Sequence, residues 1–142
     1  MNFDRIIQIY VDKALEYNKD HKSSHIALLL QGKKVICWGY NQMDRQCFRG
    51  QAITSLHAEI DCLRKCRPIS DLFKRNYKLL IIKFSRDDKN IYTNSKPCQY
   101  CTKFIQGLGF NHVYCSNDKG LIEKIKLSTY VPYILKVKLP KI

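Results

Sequence analysis

Leu56-His57-Ala58-Glu59-Ile60 and Lys96-Pro97-Cys98-Gln99-Tyr100-Cys101 are the two stretches on which the reading of this sequence turns. Together they offer one imidazole and two thiols, one donor short of a closed tetrahedral zinc site. Structural zinc centres usually fill all four positions with protein, whereas catalytic centres leave one to water. The spacing suits that role. Pro97 is at home in a first helical turn, so Cys98 and Cys101, three apart, can point to one side of a helix that stops at Gly107 or Gly109. The positive end of that helix favours thiolate over thiol. Ser55 is a good N-cap residue and predicts another helix from there to about Cys66, with Leu56, Ile60 and Leu63 inward and Pro68 ending it. His57 then sits in its opening turn. Two helix N-termini can converge on one ion, and Glu59 stays free beside it to move protons.

Working outward, residues 3–17 repeat apolar side chains at helical spacing (Phe3, Ile6, Ile7, Tyr10, Val11, Ala14, Leu15). The runs His25–Gln31 and Val35–Tyr40 flank Gly32-Lys33-Lys34 and predict a β-hairpin. Residues 41–54 are polar and predict a loop. Tyr77–Phe84 and His112–Ser116 predict strands, the second closed by the turn Asn117-Asp118-Lys119-Gly120. Leu121–Leu127 fits a returning strand or a short helix, and Leu135, Val137 and Leu139 alternate as a last strand would. The order is α/β, with a mixed sheet covered by helices. A chain of 142 residues without linker or repeat predicts a single domain over 1–142.

His-x-Glu followed by Pro-Cys-x-x-Cys resembles the cytidine and deoxycytidylate deaminase superfamily, which includes tRNA adenosine deaminases and polynucleotide cytidine deaminases. Trp38-Gly39-Tyr40-Asn41 is similar to the strand end whose asparagine contacts the substrate sugar, and the likeness runs over about residues 25–120. The resemblance implies a three-layer α/β/α fold around a mixed five-stranded sheet. It implies Zn2+ held by His57, Cys98 and Cys101, Glu59 as the catalytic proton shuttle, and Asn41, Ala58 and Pro97 as substrate contacts. The reaction implied is hydrolytic deamination of cytosine, a zinc-activated hydroxide attacking C4 and ammonia leaving. Its substrate would be a nucleotide or a single-stranded nucleic acid. His-Ala-Glu-Ile also resembles the adenosine deaminases of tRNA, so adenine-to-inosine conversion stands beside cytosine. A homo-oligomer is implied by the same likeness. Two departures bear on substrate choice: His57 and Cys98 are 41 positions apart, with residues 67–76 and 86–94 taking up the excess, and Lys96 stands where many members place glutamate.

Other features have plainer readings. Seven cysteines without a secretory leader read as reduced thiols. Cys62 and Cys66 fall roughly 140° and 180° around the helix from His57, facing away from it. They read as small core side chains, as do Cys37 and Cys115 in apolar strands. Phe48 and Tyr100 flank the motifs and read as packing before stacking. The net charge of +13 favours a polyanionic partner, yet 18 lysines against 7 arginines is also the profile of AT-rich coding sequence. A zinc-stabilised nucleic-acid-binding module without activity is the reading from another class, and a retained Glu59 speaks against it. No apolar run reaches membrane-spanning length, so the expectation is a cytoplasmic or nuclear protein, not a secreted one.

Overall fold

The computed structural model describes residues 3–17, 25–41, 46–48, 51–53, 57–65, 77–85, 88 and 91–132. Helix α1 (Asp4–Tyr17) leads into strands β1 (His25–Gln31) and β2 (Lys34–Tyr40), then β3 (Gln46–Phe48) and β4 (Gln51–Ile53). Helix α2 (Ala58–Arg64) follows, then β5 (Tyr77–Phe84), β6 (Tyr92–Thr93), helix α3 (Gln99–Gly107), β7 (His112–Ser116) and β8 (Ile122–Lys126). The main sheet runs β2-β1-β5-β7-β8, five strands in line, with two-residue β6 pairing beside β5 as a sixth. It is mixed: β5 and β7 are parallel, and the other neighbours antiparallel.

The central strands are apolar on both faces because both faces are covered. Ile26 to Leu30 of β1 and Leu79 to Ile82 of β5 are fully buried. Each such side chain contributes roughly 1.5–3 kcal/mol relative to exposure. Ile7, Val11 and Ala14 of α1 pack on one face with Ile26, Leu28, Leu80 and Ile82. On the other face α2 and α3 pack with Ala27, Leu29, Leu79 and Ile81. The three-layer α/β/α expectation holds.

A bulge sets how β2 meets α2. Leu29 pairs with Cys37 but Leu30 pairs with Val35, leaving Ile36 as the extra residue. Ile36 and Cys37 therefore both pack towards α2 and α3, while Val35 and Trp38 pack towards α1. Gly32 makes the preceding turn at φ +61°, a backbone region that suits glycine.

Several expectations need correcting. The stretch expected as loop contains the antiparallel hairpin β3–β4. Helix α2 starts later than the Ser55 cap implies, with His57 as its N-cap, and Ser55, Leu56 and Cys66 lie outside the described residues. Helix α3 is capped by Cys98, so Pro97 precedes the helix. Residues 122–126 resolve to a strand antiparallel to β7. The strand expected around 135–139 lies outside the described residues. Among the described residues no helix is long and apolar enough to cross a membrane.

Candidate functional site

Both motifs begin a helix, and in each the first candidate donor is the N-cap itself. His57 is extended (φ −69°, ψ 150°) and its side chain makes no capping bond; its carbonyl accepts from Asp61 N at 2.9 Å. The imidazole is thus spared for another partner. Cys98 is likewise extended (φ −73°, ψ 173°), its sulfur accepting from Cys101 N at 3.5 Å. Its carbonyl takes Thr102 N at 2.9 Å and Thr102 Oγ1 at 2.8 Å.

Packing of α2 on α3 brings the ligands together. His57 Nδ1 lies 3.0 Å from Cys101 Sγ and 3.7 Å from Cys98 Sγ. The three donor atoms all fall within 4.8 Å of one another, a group that could hold a metal ion. Cys98 and Cys101 are buried, at 1% and 0% exposure. One nitrogen and two sulfurs are a donor set that suits zinc.

The electrostatics prepare the sulfurs. The Cys101 thiol, donating to Cys98, holds Cys98 down at about 4, with His57 and the Cys101 N–H assisting against burial. Cys101 is pushed the other way, first by burial and then by sharing its proton with Cys98. Burial pulls His57 down, but the Cys98 hydrogen bond and the charges of Glu59 and Cys98 outweigh it and leave it raised.

Glu59 occupies the first turn of α2, 5% exposed. Burial raises its carboxyl, opposed chiefly by His57. Asp61, two residues on, is equally buried but tied down. Its carboxylate accepts from Tyr40 N at 3.2 Å, Arg64 Nε at 3.2 Å and Lys65 Nζ at 2.9 Å. Asp61 anchors α2 to the end of β2, and Glu59 is the acid left to the site.

The motif Lys96-Pro97-Cys98 is held from the sheet. Ser95 Oγ donates to Ile81 O at 2.7 Å and accepts from Ser116 N at 2.9 Å, while Ser116 Oγ donates to Thr93 O at 2.6 Å. These bonds join the ends of β5 and β7 to the segment entering α3. Ser95→Ala leaves buried backbone groups without their partner and is expected to lower unfolding free energy by about 1–3 kcal/mol, read by urea denaturation. Lys96 lies 3.3 Å from Glu123 on β8, whose other oxygen accepts from Asn117 Nδ2 at 2.8 Å. The departure at Lys96 is thus met by an acid from the neighbouring strand.

His57, Glu59, Cys98 and Cys101 are brought together as the spacing suggests. Asn41 follows β2 directly and is buried, its N–H reaching His25 O at 3.4 Å. Ala58 and Pro97 adjoin the ligands and are buried as well. Cys62 is in the core beside Cys37, sulfurs 3.9 Å apart, and Cys115 is buried within β7. The side chain of Phe48 lies outside what the structure describes.

Sequence reasoning missed Asp61, Ser95, Ser116 and Tyr130. Asp61 had a signal, since Arg64 and Lys65 stand three and four residues on. Tyr130 had none: its hydroxyl reaches Pro97 O at 2.7 Å across 33 positions. Burial, then the charges of Cys115, Cys98 and Glu59, push that hydroxyl up to about 12.

The profile of the cytidine and deoxycytidylate deaminase zinc-binding region matches residues 3–117. No curated protein matches the chain significantly. Among solved structures it is similar to dCMP deaminase from the cyanophage S-TIM5. The apo form is 20% identical with a TM-score of 0.48, covering 83% of this chain and 86% of that one. The complex with dCMP and dUMP is 19% identical with a TM-score of 0.48, covering 83% and 85%.

Proposed function

The chain belongs to the cytidine and deoxycytidylate deaminase family, and from that premise we propose that it hydrolytically deaminates cytosine in a nucleotide or a single-stranded nucleic acid. One observation carries this reading. Three zinc-type donors converge, one short of a closed set, and the buried Glu59 carboxylate stands in the first turn of the helix that His57 caps. A purely structural metal has no use for Glu59 there.

When bound, zinc makes a water acidic enough to attack the ring carbon that carries the amino group. His57, Cys98 and Cys101 would hold the metal, His57 and Cys98 from helix N-caps, with the partial positive charge at the start of α3 steadying its thiolates. The Glu59 carboxylate would take one proton of the attacking water and pass it to the ring nitrogen, then carry the water's second proton from the new hydroxyl to the amine, which leaves as ammonia while the carbonyl forms. Low exposure around Cys98, Cys101 and Glu59 keeps bulk water from competing for those protons. Asn41, at the end of β2, is assigned to the substrate's sugar, with Ala58 and Pro97 beside the ring.

The test compares ammonia release and base conversion on dCMP and on a mixed-sequence single-stranded oligonucleotide. Conversion is expected with one of them, lost after chelation and restored by added zinc. Conversion of dCMP alone makes it a nucleotide-pool enzyme, and conversion of the oligonucleotide alone makes the +13 charge part of recognition. Altered adenine in place of cytosine would replace the base assignment. Zinc-loaded protein that releases no ammonia from either would leave a binding module instead.

A further inference from the structure

We infer that Tyr130 is a positioning residue for the metal ligand Cys98, held in place by a strand and turn that lie beyond the family-matched region; this rests on the zinc reading above. The family match ends at residue 117, and β8 and Tyr130 come after it. The Tyr130 hydroxyl donates to Pro97 O at 2.7 Å. That carbonyl belongs to the peptide group whose N–H is the N–H of Cys98. A hydrogen bond to it fixes the peptide plane from which the ligand's Cα departs, and so the direction of its sulfur.

The tyrosine is itself well placed. Strand β8 pairs with β7 from Ile122 to Lys126, and Leu127, 2% exposed, donates to Asn111 O at 2.9 Å. The chain then turns, with Thr129 N and Tyr130 N both directed at Lys126 O, at 3.2 and 3.1 Å. This turn brings the ring, half-buried, against the core shared by α2 and α3. The same strand reaches the preceding residue too, through the Glu123–Lys96 ion pair. Both residues that lead into Cys98 are therefore gripped from one side by the returning chain. Ser95 secures the segment from the sheet, and Thr102 secures the Cys98 carbonyl from within α3.

Groups hydrogen-bonded directly to a ligating side chain typically contribute about 10–100-fold to metal binding; Tyr130 acts one step further out, through the backbone that carries the ligand, so the low end of that range is expected. Tyr130→Phe is the discriminating variant because it keeps the ring and removes only the donor. Zinc-loaded wild type and variant are challenged with excess chelator, and release is followed with a metallochromic dye. The variant is expected to release zinc roughly 10-fold faster, with the thermal midpoint of the metal-free protein lowered only slightly by the lost hydrogen bond. In the cobalt-substituted protein the thiolate-to-metal absorption bands are expected to shift. Glu123→Gln, which frees Lys96 but keeps the hydroxyl, is expected to change release less than Tyr130→Phe. Equal release rates for Tyr130→Phe and wild type would overturn the inference, as would a lowered metal-free midpoint with zinc release unmoved. Failure of the wild type to retain zinc would instead overturn the metal site on which it rests.

Discussion

Zinc-loaded protein carrying Glu59→Gln is expected to lose turnover by roughly 10²- to 10⁴-fold while keeping its metal. The substitution preserves side-chain volume in a position that is 5% exposed, so packing of α2 is undisturbed. What it removes is a group that can both accept and return a proton. Among the described residues no neighbouring acid replaces it. Asp61 lies on the same helix, but Tyr40 N, Arg64 and Lys65 hold its two oxygens, and its carboxylate is fully buried. Metal content should survive because the three donors His57, Cys98 and Cys101 are untouched. The check is ammonia release at saturating substrate, beside zinc measured on the same preparation. Unchanged turnover in zinc-replete Glu59→Gln would remove the carboxylate from the chemistry.

The sequence was most legible where one physical signal dominated. β1 and β5 are apolar runs bounded by polar residues, and α1 has a clear helical stripe, so all three lie close to where periodicity puts them. The cluster of His57, Cys98 and Cys101 was legible because donor type and spacing are chemically narrow. Helix α2 was less so. Ser55 has the better capping side chain, but the helix is capped by His57, whose ring serves the site rather than the helix end. Local propensity gave way to a functional demand. The three-residue strands β3 and β4 carried no alternation long enough to register, and two-residue β6 depends on pairing with β5. The strand order could not be read at all, since β1 finds β5 and β5 finds β7 only through tertiary packing. For β8, Ile122-Glu123-Lys124-Ile125-Lys126 carries apolar residues three apart, the spacing of one helix face; in the strand they point to opposite faces, Ile122 towards the α1 cluster and Ile125 towards the α2–α3 cluster. Pairing with β7 decided between them, and the same pairing delivers Glu123 and Tyr130 to the ligand turn.

Gly39→Ala is expected to be the most damaging change outside the site, costing about 2–3 kcal/mol of stability and roughly 100-fold in turnover. Gly39 faces α2 from the edge strand β2. A Cβ there would strike the Cys62 amide nitrogen and lie 2.7 Å from Ala58 O and 2.9 Å from Asp61 Oδ2. Two of these atoms are backbone of α2, so no rotamer change can relieve the clash. The helix must shift, or β2 must leave the sheet. A shift moves His57 and Glu59 together, because both ride on the first turn of α2, while Cys98 and Cys101 stay with α3. It also strains the Asp61 bond to Tyr40 N. Loss should therefore appear in three readouts at once: a lower denaturation midpoint, faster zinc release and reduced turnover. Zinc should not fully rescue turnover, since reloading the metal restores the ion and leaves the steric clash in place. An alanine variant as stable and as tightly metallated as the wild type would mean that α2 sits farther from β2 than the close approach at Gly39 requires.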